Sequence, residues 1–139
     1  MPIHDPHAVV ADLYRLLSPP IGTPLDRDAL SGLFLPDARI RAAMADNAGV
    51  EDVLNYSPAE YLDTLVRLVQ LQHADGLVSV KRELWARTEC YGNIAQVFST
   101  FESAMPVGDR VHAGRGVNAI QLLHTDGAWR IASWEIHVE

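Results

Sequence analysis

The chain has 139 residues, 48% of them hydrophobic and 21% charged, which suits one domain (1–139) able to bury its own core. A formal charge of −7 with no lysine–arginine cluster argues against nucleic acid or an anionic membrane as a partner, and no apolar run approaches the ~20 residues that span a bilayer. The lone Cys90 excludes an internal disulfide, and the opening Met-Pro-Ile-His-Asp-Pro-His lacks the blocks of an export signal, so a cytoplasmic location is expected.

Residues 6–18 are expected to form a first helix, with Asp5 as cap, Pro6 in the first turn, and Val9, Val10, Leu13, Leu16 and Leu17 on one side. Ser18-Pro19-Pro20 stops it, because proline has no amide hydrogen to continue the ladder. Residues 26–33 read as a short second helix burying Leu30, Leu33 and Phe34; Pro36-Asp37 reads as a turn, and Ala38 to Met44 as a strand. Asp46-Asn47-Ala48-Gly49 has loop chemistry. Ser57-Pro58-Ala59-Glu60 then carries the marks of a helix start: a capping serine, a proline at the first position and a glutamate three residues after the cap. That helix takes Tyr61, Leu62, Leu65, Leu68, Val69 and Leu71 to about Gln72, and Asp75-Gly76 ends it.

Four strand-like runs follow, at 77–90, 94–105, 113–125 and 128–138. Gly92-Asn93 and Asp126-Gly127 between them are two-residue hairpin signals, and a looser break surrounds Pro106, Gly108 and Asp109. Long strands in series make a meandering antiparallel sheet, and the preceding helices must cover one of its faces.

The order helix, helix, strand, helix, four strands resembles the nuclear transport factor 2-like superfamily. So do three stretches: Asp28-Ala-Leu-Ser-Gly-Leu-Phe-Leu-Pro-Asp-Ala-Arg-Ile40; Tyr91-Gly-Asn-Ile-Ala-Gln-Val-Phe-Ser-Thr-Phe-Glu102; and Gly114-Arg-Gly-Val-Asn-Ala-Ile-Gln-Leu-Leu123 with Gly127-Ala-Trp-Arg-Ile-Ala-Ser133. The resemblance covers essentially the whole chain and implies a cystatin-like α+β cone, with three helices packed on a strongly curved, mixed, mostly antiparallel sheet. Ketosteroid isomerases, scytalone dehydratase and SnoaL-type polyketide cyclases share that fold, so it names an architecture and no reaction. In the isomerases a carboxylate base follows the first strand, and a later-strand acid joins a helix tyrosine to hold an enolate. Laid on that pattern, Ala42 takes the base's place, with no acid before Asp46; Asn118 takes the acid's place; and the tyrosine falls on Leu13, with Tyr14 one residue away. Steroid-type isomerisation is therefore not expected.

If Asn118 faces the cone cavity, strand alternation turns Gly116, Ile120 and Leu122 the same way. By analogy with the isomerases Val97, Ser99 and Phe101 also point inward, with Ile131, Ser133 and Glu135 on the last strand. The resulting candidate ligand-binding set is Tyr14, Val97, Ser99, Phe101, Asn118, Ile120 and Ser133. Glu135 is the candidate proton carrier and Asn118 the candidate oxyanion holder; their plainer alternatives are a half-exposed carboxylate and a satisfied core amide. A one-residue slip would instead bring in Trp85, Arg87, Glu89, Gln96, Phe98 and Thr100. The ladder Glu83, Trp85, Arg87, Glu89 reads as the convex face, which in this family commonly pairs two subunits, and Trp85, Phe98, Trp134 and Ile136 would then support a homodimer.

No His-x-x-x-His or Cys-x-x-Cys spacing is present, so neither metal nor cofactor is expected; His4 and His7 stand near the chain start, and Cys90 reads as structural. Gly108, Gly114 and Gly116 do not lead a strand into a helix and make no phosphate loop. Three functions remain open: a cavity binding a small apolar or aromatic molecule, a cofactor-free isomerase, lyase or cyclase, and a dimeric structural or protein-interaction module.

Overall fold

The computed structural model describes residues 5–45, 49 and 51–139, and within them three helices cover one face of a six-stranded sheet. Helix α1 (Pro6–Leu16) begins where Asp5 accepts the His7 amide at 3.0 Å, and it buries Val10, Leu13 and Tyr14. Helix α2 (Arg27–Ser31) is capped by Asp26, which accepts from Ala29 N at 3.0 Å. Helix α3 (Pro58–Ala74) has the full reciprocal cap: Ser57 Oγ accepts from Glu60 N at 3.2 Å, and Glu60 Oε1 accepts from Ser57 N at 3.0 Å. Positions 46–48 of the expected loop, and His4, lie outside the described residues.

Strand β1 (Phe34–Ala45) starts four residues before the expected Ala38, and Pro36 falls in its irregular stretch between Phe34 and Arg39, where a missing donor is tolerated. Strand β2 (Glu51–Tyr56) was not expected; it pairs antiparallel with β1. Strands β3 (Val80–Tyr91), β4 (Ile94–Val107), β5 (Arg110–Thr125) and β6 (Ala128–Val138) form the meander. Their turns are all two residues long, closing at Tyr91–Ile94, Val107–Arg110 and Thr125–Ala128, so the looser break expected around Pro106 is a tight turn too. At the last of them Asp126 and Gly127 both take positive φ, 52° and 80°, the geometry that matches the twist of paired strands. The sheet order is β2-β1-β6-β5-β4-β3; β1 runs parallel to β6 and every other pair is antiparallel. The α+β fold is thus the mixed, mostly antiparallel one implied by the resemblance.

Two bulges decide what faces the helices. In β3 Leu84 is an extra residue, so Glu83 stands opposite Phe101 while Trp85 stands opposite Thr100. In β6 Ala132 is the extra residue, between the pairs Leu122–Ile131 and Gln121–Ser133. Beyond it Trp134 and Ile136 are buried beneath the helices, and Ser133 and Glu135 turn to the helix-free face. The inward placement expected for Ser133 and Glu135 is therefore reversed, as is the outward placement of Trp134 and Ile136. Strands β4 and β5 carry no such step over the expected stretch, and Val97, Ser99, Phe101, Gly116, Asn118, Ile120 and Leu122 do face inward.

Candidate functional site

The inner face holds a continuous polar chain in an apolar core. Trp134 Nε1 donates to Asn118 Oδ1 at 2.9 Å, and Asn118 Nδ2 donates to Tyr14 Oη at 3.0 Å. Tyr14 Oη lies 2.7 Å from Ser99 Oγ, and Ser99 Oγ donates to Glu83 Oε2 at 2.5 Å. The other carboxylate oxygen, Glu83 Oε1, meets His7 Nε2 at 2.7 Å. These contacts fix the proton in the one ambiguous link. Ser99 has its single hydroxyl hydrogen on Glu83 and Tyr14 already accepts from Asn118, so Tyr14 donates to Ser99. Every hydrogen bond from the indole to the carboxylate thus points the same way, toward Glu83.

Each member is positioned by its element. Tyr14 is on the buried side of α1, one turn after Val10; Ser99 and Asn118 are directly opposite on β4 and β5; Glu83 reaches the chain only because of the Leu84 bulge. His7 comes from the first turn of α1 and closes the outer end, where its side chain is 33% exposed and that of Glu83 23%. Burial raises the Tyr14 hydroxyl above its usual value, the bonds to Ser99 and Asn118 opposing that shift, so the phenol keeps its proton. Burial raises Tyr61 in the same way; its ring meets Trp134 edge-on at 5.3 Å and helps to enclose the indole end. Phe101 is packed beside the chain, and Gly116 makes room for it: a Cβ there would come within 2.6 Å of the ring and 2.5 Å of His137 O.

Of the sequence-predicted residues, Tyr14, Ser99 and Asn118 are brought together, with Val97, Phe101 and Ile120 as their apolar surround. Ala42, at the isomerases' base position, packs partly buried against the same core. Ser133 and Glu135 are on the opposite face, where Glu135 is ion-paired with Arg41. Sequence reasoning missed Glu83, His7 and Trp134. Glu83 and Trp134 were hidden by the bulges. His7 was legible to the extent that Asp5 and Pro6 fix the first helical turn, but its partner is 76 residues away.

The inner end of the polar chain is closed to water: Val97, Ser99 and Ile120 are 0% exposed and Asn118 2%. The helix-free face is different. A hollow of about 440 Å³ lies there, lined by Arg41, Ala43, Val53, Phe98, Ala119 and Glu135 among others. Beside it Phe98 is 44% and Trp85 58% exposed, and the ion pairs Arg41–Glu135, Arg82–Glu102 and Arg87–Glu89 stand around this apolar strip.

No family model and no curated protein matches the chain. Among solved structures it is similar to a nuclear transport factor 2-like protein with a cystatin-like fold from Novosphingobium aromaticivorans, at 16% identity and a TM-score of 0.70 over 94% of this chain and 77% of that one. It is also similar to the beta subunit of benzoate 1,2-dioxygenase from Burkholderia mallei, at 14% identity and a TM-score of 0.69 over 96% and 87%. A protein of unknown function from Mycobacterium tuberculosis aligns at 16% identity and a TM-score of 0.69 over 96% and 69%. At these identities the likeness is one of fold. Among the described residues no helix is long and apolar enough to cross a membrane.

Proposed function

We propose that this chain, which has the cystatin-like α+β fold of nuclear transport factor 2-like proteins, is an assembly module that pairs with a second copy through the helix-free face of its sheet. The observation that carries this reading is the contrast between a helix-covered face whose centre is fully buried and an opposite face that leaves Trp85 and Phe98 exposed. An apolar centre with charges at its margin is how protein interfaces are built. The charges are also matched within the chain, arginine to glutamate, so two copies of a protein of net charge −7 can meet here without like-charge repulsion. The benzoate dioxygenase beta subunit is an assembly component with this fold, which is consistent with such a use. Light scattering tests the reading: a mass of twice 15.3 kDa is expected, and a monomer at every concentration overturns it.

A second reading, a cone that takes a small apolar or aromatic molecule for binding or cofactor-free proton transfer, is favoured by the polar chain itself. Five hydrogen bonds among six side chains form a more elaborate network than core packing needs, and its His7–Glu83 end is the part within reach of solvent. In this reading the proton-moving role falls to Glu83 and His7 rather than Glu135. Thermal shift against a panel of apolar and aromatic compounds tests it: stabilisation that Tyr14→Phe weakens supports the reading, and a flat response across the panel removes it.

A further inference from the structure

The register of the sheet puts the exposed Trp85 in line with the hollow on the helix-free face. Trp85 is opposite Thr100, Thr100 opposite Val117, Val117 opposite His137, His137 opposite Ala43, and Ala43 opposite Val53. The last four of that row line the hollow of about 440 Å³. The next row on the same face runs Arg87, Phe98, Ala119, Glu135 and Arg41, and all of these but Arg87 line it too. The small Ala43 and Ala119 leave the space between their larger neighbours. Trp85 cannot fill it within its own chain, because β3 and β6 are three strand spacings apart, ~14 Å, further than an indole reaches.

Resting on the pairing proposed above, we infer that a second copy seats its Trp85 in this hollow, about a twofold axis that runs along the strands between β4 and β5. Two sheets stacked face to face keep their strand directions nearly aligned. Rotation about such an axis leaves every residue in its own row and exchanges β3 with β6 and β4 with β5. Trp85 then lies over the second copy's His137, at the hollow, and Phe98 over its Ala119. In the same arrangement Arg87 meets the second copy's Glu135, and Gln96 meets its Gln121. An indole is smaller than the ligands that hollows of this size hold.

Charge favours this axis over its neighbours. Moved half a strand spacing toward β6, it would set Arg87 on the second copy's Arg41, like against like. Moved as far toward β3, it would set Arg87 on Ala119 and leave Glu135 beyond the reach of the second sheet. The placement that joins opposite charges is therefore also the one that fills the hollow. Within each chain Arg87 is 2.9 Å from Glu89, and Glu135 is paired with Arg41. Contact between the copies thus makes a run of four charges of alternating sign: Arg41 and Glu135 of one copy, then Arg87 and Glu89 of the other.

Charge reversal tests the seating. Arg87→Glu and Glu135→Arg are made singly in the full chain, checked by circular dichroism, and their dimer Kd is measured by analytical ultracentrifugation. Each is expected to weaken self-association about tenfold or more, since each sets like charges against one another twice per dimer. Mixed in equal amounts, the two variants should associate about as tightly as wild type. Each mixed dimer has one native and one reversed contact, both between opposite charges. A second measurement needs no substitution: dilution through the dimer–monomer transition should open Trp85 to acrylamide quenching, while Trp129 and Trp134 stay buried in the core. A dimer Kd unmoved by either reversal, a mixture no tighter than its components, or quenching unchanged on dilution overturns the seating and leaves pairing itself standing. A chain that is monomeric at every concentration removes both.

Discussion

Tyr14 Oη lies 2.7 Å from Ser99 Oγ, so a helix near the start of the chain is tied to a central strand 85 residues later. The same oxygen accepts from Asn118 at 3.0 Å, and both partners are buried. Tyr14→Phe keeps the ring packing and removes both bonds. It should lower unfolding free energy by about 1–3 kcal/mol, the usual cost of leaving buried polar groups unmade. Urea denaturation measures this. Adding Asn118→Leu should cost less than the two single changes summed, because the second change removes a group the first has already stranded.

The alkaline pH dependence of stability follows from three groups whose titration is shifted by desolvation, with opposing signs. Unfolded, Tyr14 and Tyr61 ionise near the ordinary 10.0; folded, burial holds their protons beyond that. The native state then binds more protons than the unfolded one, so their contribution is intact below pH 10.0 and is lost as pH rises further. Lys81 acts in the other direction. Its folded value is lowered from 10.5, so the unfolded state binds more protons just below that figure and stability rises with pH there. A melting-temperature profile should therefore be held up toward pH 10 and fall beyond it. Lys81→Met should remove the rise, and Tyr61→Phe should soften the fall; profiles parallel to wild type would contradict these assignments.

Gly116→Ala tests the seat of Phe101. The added methyl would meet the ring at 2.6 Å and the His137 carbonyl at 2.5 Å, and the latter is backbone that does not swing aside. Overpacking of this kind costs about 1–3 kcal/mol. A drop in melting temperature is expected, and Phe101→Leu in the same chain should recover only the part due to the ring.

Phe98→Glu and Glu135→Gln separate the outer face from the inner one. Phe98→Glu puts a charge in the centre of the proposed pairing strip and should shift the light-scattering mass from dimer to monomer without loss of secondary structure. Glu135→Gln leaves Arg41 beside a neutral amide at a solvated site, and the fold should be indifferent to it. A dimer unaffected by Phe98→Glu would place pairing elsewhere.

What was legible in the sequence was what is decided locally. Ser57, Pro58 and Glu60 announce a helix start through groups within one turn, and Asp126-Gly127 announces a hairpin through two φ angles. Alternation along β4 and β5 grouped Ser99 with Val97 and Phe101, and Asn118 with Gly116 and Ile120, while the choice of these as the inner faces came from the resemblance to the isomerases. The bulges at Leu84 and Ala132 were not legible, because an extra residue in a strand is defined by the partner strand and has no composition of its own. Each exchanged a pair of faces beyond it, so Glu83 went in where Glu135 had been expected. Strand β2 was silent for a related reason: Glu51 to Tyr56 has too few apolar residues to show alternation, and its pairing with β1 defines it.

The three two-residue turns also bear on the order in which the molecule assembles. Strands β3 to β6 find their neighbours over short loops, whereas Tyr14 meets Asn118 across 104 positions and His7 meets Glu83 across 76. Short-range pairings carry the smaller entropic cost of closure, so the meander is predicted to nucleate first and α1 to dock late, its tyrosine reaching a platform already in place. Pulse-labelling hydrogen exchange should protect β4 and β5 amides before those of α1; simultaneous protection would mean that the two ends condense as one nucleus. On the predicted schedule, the amino-terminal helix waits for the last strands to be synthesised before it gains its hydrogen-bond partners.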